Sequence, residues 1–264
     1  MAEHLYVDCH CHLDSIWEKL GKNLDDSFDE WIDSWPAGFD GCLCAYSEDF
    51  EKTMKFVGRN HPKIYGALGQ HPHGASNYNE EYEAKLIDLL KHPQVRALGE
   101  IGLDYHYTLS PVDVQKRVFE RQCKLAVERQ LPITIHTREA EDDTWDIIKR
   151  CLPKDQRFHI HCYTDSWQWA EKVLKEFPNA YFGFTGCLTF KKSKDVQDVC
   201  SKVPLDRMLS ETDGPYMAPE PFRGKASMPG YIPQIIKKMA QLHNVSEDVA
   251  YTTLRENARK MYNF

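Results

Sequence analysis

Short apolar runs of five or six residues recur along the whole chain, and longer amphipathic stretches separate them. Runs of this length are typical of strands buried on both faces, and their alternation with helix-length segments predicts βα units around a parallel sheet. The eight runs are Leu5–His10, Gly41–Tyr46, Ile64–Gly69, Val95–Glu100, Pro132–His136, Phe158–Cys162, Ala180–Thr185 and Met208–Asp213.

The segments between the runs carry helix signals. Val114–Arg129 has an apolar stripe at helical spacing, and Asn79–Leu90 begins with a capping Asn followed by glutamates. Asp165–Phe177 and Ser246–Met261 have the same character. We therefore predict the α/β class and a single (β/α)8 TIM-type barrel over residues 1–264. An open doubly wound sheet is the alternative, but no glycine-rich phosphate loop follows the first run.

The composition is that of a globular protein, with 42% hydrophobic and 28% charged residues. No stretch approaches the roughly 20 apolar residues of a membrane span, and Met1–Cys9 lacks the pattern of a signal peptide. The nine cysteines are scattered, which favours reduced, mostly buried thiols over a disulfide framework. We expect a cytoplasmic protein without a membrane partner, and the nucleus is an alternative compartment.

Residues with metal-ligand chemistry lie at or near the carboxyl ends of the predicted strands. In a (β/α)8 barrel these ends meet on one face, where active sites are built, so side chains distant in sequence converge there. Four imidazoles and two carboxylates are a metal-binding set rather than part of an apolar core. The predicted ligands are His10, His12, Glu100, His136, His161 and Asp213.

His10 and His12 are two residues apart and should point to the same face of a strand, where both can reach one ion. Cys9 and Cys11 should then face the helices as packing residues. A lone His-x-His pair is also common on surfaces and in cores, and the other strand-end residues are what favour a metal site.

Glu100 and Asp213 are the predicted catalytic residues. Glu100 ends an apolar run, where an unpaired carboxylate is costly, so it either bridges two ions or pairs with a barrel arginine, and bridging is favoured. Asp213 precedes Gly-Pro, where an Asp is often only a turn residue. Its position at the end of the eighth run favours a site role, as a ligand that accepts a proton from the attacking water.

Several neighbouring residues are expected to support the site. Glu211 and Asp104 stand close in sequence to predicted ligands and should orient them or frame the pocket. His71 is a predicted substrate contact, with its neighbour His73 as the alternative. His159 lies one layer deeper and is interpreted as a hydrogen-bonded core histidine.

The formal net charge of −7 argues against general attraction to duplex nucleic acid. Loops 191–194 and 223–225 are nevertheless basic, although charge runs are usually solvated surface. Arginine can grip a phosphate with two hydrogen bonds. Arg138 and Arg223 are therefore predicted substrate contacts, and a phosphoester substrate is favoured.

Six motifs, in this order, resemble those of the TatD-like metal-dependent deoxyribonucleases of the amidohydrolase superfamily. Each motif alone is weak, but the ordered set covers nearly the whole chain and is specific. The motifs are Asp8–Asp14 (DCHCHLD), Gly69–His73 (GQHPH), Gly99–Tyr105 (GEIGLDY), Ile135–Arg138 (IHTR), His161–Ser166 (HCYTDS) and Glu211–Tyr216 (ETDGPY).

The resemblance implies an amidohydrolase-type barrel that binds two divalent metal ions. One ion would be bound by His10, His12, Glu100 and Asp213. The other would be bound by Glu100, His136 and His161. The imidazoles favour Zn or Mn, whereas the resemblance points to activity supported by Mg. After Lys225 the family commonly continues Arg-Asn-Glu-Pro, but residues 226–229 here are Ala-Ser-Met-Pro, so substrate contacts in this loop are expected to differ.

The leading hypothesis is a 3′–5′ exonuclease that hydrolyses DNA through a water activated by two metal ions, with a part in DNA repair or in DNA breakdown during cell death. A narrow barrel mouth should admit single-stranded ends better than duplex, and Tyr105 or Tyr163 could stack on a base. One alternative is another amidohydrolase-type reaction on a small phosphoester, amide or lactone. Another is a non-catalytic metal- or DNA-binding protein. The sequence does not determine the oligomeric state, and a monomer is compatible with it.

Overall fold

The computed structural model of this chain describes residues 4–22, 28–45 and 49–263. Within these ranges eight parallel strands form one sheet, and each strand is hydrogen-bonded to the next in chain order. The strands are β1 (Tyr6–Cys11), β2 (Phe39–Ala45), β3 (Ile64–Leu68), β4 (Val95–Asp104), β5 (Ile133–Arg138), β6 (Phe158–Ile160), β7 (Ala180–Phe184) and β8 (Met208–Ser210).

The first strand and the segment after the last strand also meet, which closes the sheet. The His12 N–H donates to the Gly214 carbonyl at 2.8 Å, and the Asp213 N–H donates to the His10 carbonyl at 2.9 Å. A closed ring of parallel strands alternating with helices is a (β/α)8 barrel. The predicted fold is confirmed.

Ten α-helices lie among the described residues, most of them in the connections between strands. The predicted cap at Asn79 is present, since its side-chain oxygen accepts the Tyr82 N–H at 2.8 Å. The helices are α1 (Leu13–Lys19), α2 (Phe28–Asp33), α3 (Phe50–Val57), α4 (Glu80–Leu89), α5 (Val112–Arg129), α6 (Glu141–Cys151), α7 (Trp167–Glu176), α8 (Lys194–Lys202), α9 (Ile232–His243) and α10 (Glu247–Tyr262).

The predicted strands exist, but some of their ends differ. β4 continues through Asp104, so Glu100 lies inside this strand rather than at its end. β6 and β8 are short and end before His161 and Asp213. The second predicted run ends at Tyr46, which lies outside the described residues.

An apolar cluster fills the barrel interior below the site, and α10 closes the amino-terminal end. The Tyr262 hydroxyl lies 2.7 Å from His159 Nδ1 and 3.1 Å from Thr134 Oγ1, one inward-facing layer below the predicted metal ligands. His159 is thus a buried, hydrogen-bonded core histidine, as expected. The interior cluster comprises Val7, Cys9, Leu43, Ala67, Ala97, Tyr181, Leu209, Ala258, Met261 and Tyr262.

Cys9 and Cys11 do not share a face. Cys9 belongs to the interior cluster, whereas Cys11 is buried in the main core with Leu13 and Ile16 of the helix that follows. The pairing of β1 with β2 shifts between Asp8 and Cys11, and such a slip turns the following side chains to the other face. The prediction that both cysteines face the helices is therefore wrong for Cys9.

Seven of the nine cysteines are buried free thiols, and Cys151 and Cys162 are free thiols that are partly exposed. This distribution agrees with the mostly buried thiols predicted. Within the described part of the chain, every helix is too short or too polar to span a bilayer.

Candidate metal centre

Glu100 points into the barrel mouth because β4 bulges at this position. Leu98 pairs with Ile133, and Ile101 pairs with Ile135, so β4 has one residue more than β5 between these pairs. The Glu100 side chain is only 3% exposed. A carboxylate buried to this extent requires partners of opposite charge or a metal ion.

The two carboxylate oxygens of Glu100 face different imidazoles. Oε1 lies 2.7 Å from His136 Nδ1 and 2.8 Å from His161 Nε2. Oε2 lies 3.3 Å from His10 Nε2 and 3.8 Å from His12 Nε2. A carboxylate that contacts two sets of nitrogen donors has the arrangement of a bridging ligand.

Asp213 adds a second carboxylate on the Oε2 side. Its Oδ1 lies 3.5 Å from His12 Nε2 and 3.7 Å from His10 Nε2. The structure thus brings all six predicted ligands together. Three overlapping sets have ligand atoms within 4.8 Å of one another: His10–His161–Asp213, His10–His12–Glu100 and His71–Glu100–His136.

The donor set fits divalent metal ions. Among the described residues, every cationic group within 4.0 Å of the Glu100 carboxylate is a histidine, so the alternative of a barrel arginine is not what the structure shows. Imidazole nitrogens combined with carboxylate oxygens suit Zn, Mn and related ions.

Two of the histidines are held neutral, which leaves a lone pair for a metal ion. Burial lowers the pKa of His10 to about 4 and that of His71 to about 4. Burial alone would raise the pKa of Glu100, but the neighbouring imidazoles, His161 foremost, outweigh it and hold this pKa well below the usual range. The carboxylate is therefore ionised and able to bind a cation.

Two other histidines are held protonated by their carboxylate neighbours. Burial disfavours the charged ring of His12, but Asp213 and Glu100 outweigh it and raise its pKa to about 9. For His136 the hydrogen bonds to Asp104 and Glu100 have the same effect and also give a pKa of about 9. A metal ion that binds these rings must displace their protons, so its affinity should decrease as the pH is lowered.

Asp104 lies on the far side of His136 from Glu100. Its Oδ2 is 3.1 Å from His136 Nε2 and 3.0 Å from His73 Nε2. Its Oδ1 accepts the backbone N–H of Tyr107 at 3.0 Å. One carboxylate therefore fixes an imidazole of the site and the turn beside it, which fits the supporting role predicted for Asp104.

Glu211 is fully buried beneath the site. Its Oε2 lies 3.0 Å from His159 Nε2, and its Oε1 lies 3.9 Å from His161 Nδ1 and accepts the Cys162 N–H. Gly183 makes room for this contact, because any Cβ there would overlap His159 and the Glu211 carboxylate. Glu211 was predicted to support Asp213 from below, and in the structure its direct contacts are with His159 and the Cys162 N–H.

Comparisons with known proteins place this centre in a family. The model of the TatD related DNase family matches residues 7–263. The chain belongs to the TatD-related DNase family. Related proteins include TATDN2 of Homo sapiens, named a 3′-5′ RNA nuclease, which is 34% identical over 98% of this chain; the chain spans only 35% of TATDN2.

Two bacterial relatives match over most of both chains. The protein named 3′-5′ ssDNA/RNA exonuclease TatD of Erwinia tasmaniensis is 32% identical over 86% of this chain and 90% of its own length. YcfH of Escherichia coli, named an uncharacterized metal-dependent hydrolase, is 33% identical over 96% of this chain and 94% of its own. Among solved structures, the TatD homologue YJJV of E. coli has a TM-score of 0.84 and 25% identity, and the match covers 98% of both chains. This chain is therefore a metal-dependent hydrolase of the TatD family.

The TatD-family site opens into a cavity of about 640 Å³. Its walls include two of the predicted substrate contacts, His71 and Arg138. His71 also reaches Glu100, with its Nε2 at 3.4 Å from Oε1, and forms with Glu100 and His136 a group that could hold a metal ion. Arg223 is not among the described residues that line the cavity, and its guanidinium instead lies 3.9 Å from the ring centroid of Phe190.

The tyrosines predicted to stack on bases are not available to do so. The Tyr105 hydroxyl donates to Asp143 at 2.6 Å, outside the cavity, and Tyr163 is only 2% exposed. The cavity carries Tyr107 and Tyr216 instead. Each of these follows a site carboxylate by three residues, a signal in the sequence that identifies both positions.

Lys52 is a further cavity residue that sequence reasoning missed. It lies on α3, and its Nζ is 2.9 Å from Glu18 Oε1 at the cavity wall. It belongs to a helix rather than to the end of a predicted strand, so the rule that identified the ligands could not identify this lysine.

Proposed function

We propose that this TatD-family hydrolase is a 3′–5′ exonuclease that cleaves phosphodiester bonds of single-stranded DNA with the help of two divalent metal ions. The proposal of two ions rests on one observation: the two carboxylate oxygens of Glu100 face different groups of imidazoles. His10 and His12, with Asp213, would hold one ion on the Oε2 side. The residues that would hold the other ion on the Oε1 side are His136 and His161, with His71 within reach.

Asp213 is the residue placed to accept a proton from the attacking water. Two ions held by these residues would lower the pKa of this water and offset negative charge on the phosphate oxygens. The Asp213 side chain is 13% exposed, against 3% for Glu100, so it borders the open cavity. Burial raises the pKa of Asp213, but the nearby imidazoles, His12 first, outweigh this and hold the pKa below its usual range, so the carboxylate is ionised and has a lone pair to accept a proton.

Arg138 supplies positive charge at the cavity wall. It follows His136 on the same strand, and its side chain is exposed to the cavity. A guanidinium in this position can hold a phosphate oxygen and orient the bond to be cleaved. Glu100 would thus bind metal in the buried part of the site, and Arg138 would bind the substrate at its exposed wall.

The single-strand preference rests on shape and charge. The cavity is concave and lies within a net acidic protein, so a rigid duplex would approach the buried carboxylates poorly. A flexible 3′ end can enter it. The names of two relatives specify 3′-5′ cleavage, and one of them specifies single-stranded DNA and RNA. RNA is therefore the second candidate substrate.

The test compares matched substrates with one metal at a time. Metal-free protein is supplied with Mg²⁺, Mn²⁺ or Zn²⁺ and given a 5′-labelled DNA strand, the same sequence as RNA, blunt duplex and closed circular DNA. We expect a ladder that shortens from the 3′ end, fastest on single strands. Rapid internal cutting of closed circular duplex, or cleavage of small phosphoesters without any cleavage of strands, would contradict the proposal.

A pair of variants ties the activity to the site. Glu100→Gln keeps the size of the side chain but removes its charge, and it should abolish cleavage with every metal. Asp143→Asn is the matched control, because Asp143 contacts Tyr105 and Lys116 outside the cavity and should leave cleavage intact.

A further inference from the structure

Two tyrosine rings are exposed at the mouth of the cavity. Tyr107 is 52% exposed and Tyr216 is 57% exposed, and both line the same cavity as Glu100. Most large hydrophobic side chains of this protein are buried, so two exposed aromatic rings at one opening are a local departure from the pattern.

The two rings lie on opposite walls of the mouth. Tyr107 follows β4 and Tyr216 follows β8, and these strands are four positions apart in a closed ring of eight. The carboxyl ends of such strands are diametrically opposed. The site carboxylates Glu100 and Asp213 line the same cavity as the two rings.

Short hydrogen-bonded turns hold the backbone at both tyrosines. Asp104 Oδ1 accepts the backbone N–H groups of His106 at 2.9 Å and Tyr107 at 3.0 Å. On the other wall, the Tyr216 N–H donates to the Asp213 carbonyl at 2.9 Å. The backbone of each tyrosine is thus held next to a carboxylate residue of the site, which limits where its ring can reach.

A positively charged side chain, that of Arg138, lies over the Tyr107 ring. The Arg138 guanidinium lies 4.9 Å from the centroid of the Tyr107 ring. A cation beside an aromatic face is the usual composition of a surface that binds single-stranded nucleic acid, in which the ring contacts a base and the cation contacts the backbone.

We propose that Tyr107 and Tyr216 are stacking platforms for two nucleobases that flank the cleaved phosphodiester. This inference rests on the proposed nuclease function and adds how the substrate is recognised: by the aromatic face of unpaired bases, with little preference for their identity. Bases paired within a duplex cannot present their faces to two opposed rings. The two platforms therefore provide a structural reason for single-strand selectivity.

The test separates recognition from catalysis. Binding of a labelled DNA strand to metal-free protein is measured by fluorescence anisotropy, and cleavage by metal-loaded protein is measured in parallel. We expect Tyr107→Ala and Tyr216→Ala each to weaken binding and to lower kcat/KM by about tenfold. Tyr107→Phe should restore both. Leu109→Ala is the matched control: Leu109 is 68% exposed in the same loop but does not line the cavity, and this variant should behave as wild type.

A strand whose last 3′ sugars lack bases completes the design. Wild type should bind and cut this strand as weakly as the alanine variants do, and the alanine variants should not distinguish it from the normal strand. The inference would be overturned if the alanine variants bound and cut the normal strand as well as wild type does. It would also be overturned if they lost the same factor in binding and kcat/KM, relative to wild type, on both strands. If wild type cuts no strand with any metal, the proposed function fails, and the binding measurements still decide whether the rings hold bases.

Discussion

Asp104 Oδ2 lies 3.1 Å from His136 Nε2, on the opposite side of the ring from Glu100. The contact fixes the orientation of the imidazole and leaves Nδ1 directed at the Glu100 carboxylate. Carboxylates in this position behind a ligating histidine make the ligand more basic and hold its tautomer. Asp104 also keeps the pKa of His136 raised.

Asp104→Asn should weaken metal binding on the His136 side by about 10- to 100-fold. The amide keeps one oxygen, so the turn at Tyr107 can persist, but it cannot supply both oxygens that the carboxylate supplies. Isothermal titration of metal-free protein with Mn²⁺ or Zn²⁺ measures the loss. Unchanged affinity at both sites would show that Asp104 does not support a metal ligand.

Glu100→Ala and His71→Ala should differ in how many ions they affect. Glu100 faces imidazoles on both sides, so its loss should reduce the content of both ions and lower activity by more than the roughly 100-fold that loss of a supporting residue costs. His71 approaches only Oε1, so its loss should affect one ion. Metal content by mass spectrometry, measured with kcat, distinguishes the two. A Glu100→Ala protein with two ions and near-normal turnover would exclude the bridging role.

Tyr262→Phe should destabilise the barrel without changing the site. The buried hydroxyl serves both His159 and Thr134, and its removal leaves two buried polar groups without this partner. We expect the free energy of unfolding to fall by about 1–3 kcal/mol in urea titrations. The control is Tyr65→Phe, whose hydroxyl bonds the Pro62 carbonyl at the exposed surface, and this change should cost little.

Asp165 should make stability depend on pH. Burial and the neighbouring Glu141 raise the pKa of Asp165 to about 7 in the folded chain. A carboxyl group whose pKa is raised by folding contributes stability at pH values below its pKa in the unfolded chain. This contribution is lost as the pH rises through about 7. Asp165→Asn lacks this loss, so its stability relative to wild type should increase between about pH 5 and about pH 8. The exposed Asp195→Asn serves as control, and equal pH profiles for all three proteins would contradict the assignment.

The sequence was sufficient to predict the fold and to bring six candidate ligands to one place, because both follow from strand ends. Apolar runs identify the strands, and parallel strands of a barrel all end on one face, so His136 and His161 could be paired without knowing any distance. Only the approximate ends of the strands are needed, so the extension of β4 from Glu100 to Asp104 does not change which residues are grouped.

The errors arise where the backbone departs from regular alternation or where contacts are made across the chain. Cys9 faces inward with Val7, and Cys11 faces the other way because the pairing of β1 shifts after Asp8, which a period of two residues cannot anticipate. Tyr105 was expected at the substrate but is held by Asp143, on a helix distant in sequence. Arg223 has the right chemistry, yet its loop places it over Phe190 rather than in the cavity. Loop conformation and long-range side-chain pairing are not encoded in local spacing.

The most direct measurement is stepwise reconstitution of metal-free protein, with 3′-end cleavage of a single DNA strand recorded at each step. Chelation should abolish cleavage, while circular dichroism shows that the fold persists, because the apolar core surrounds the barrel independently of the site. Activity should return as two equivalents of Mn²⁺ or Zn²⁺ bind to wild type, and should not return in Glu100→Gln. Full cleavage by protein that retains no metal, or recovery in the Glu100 variant, would contradict the account.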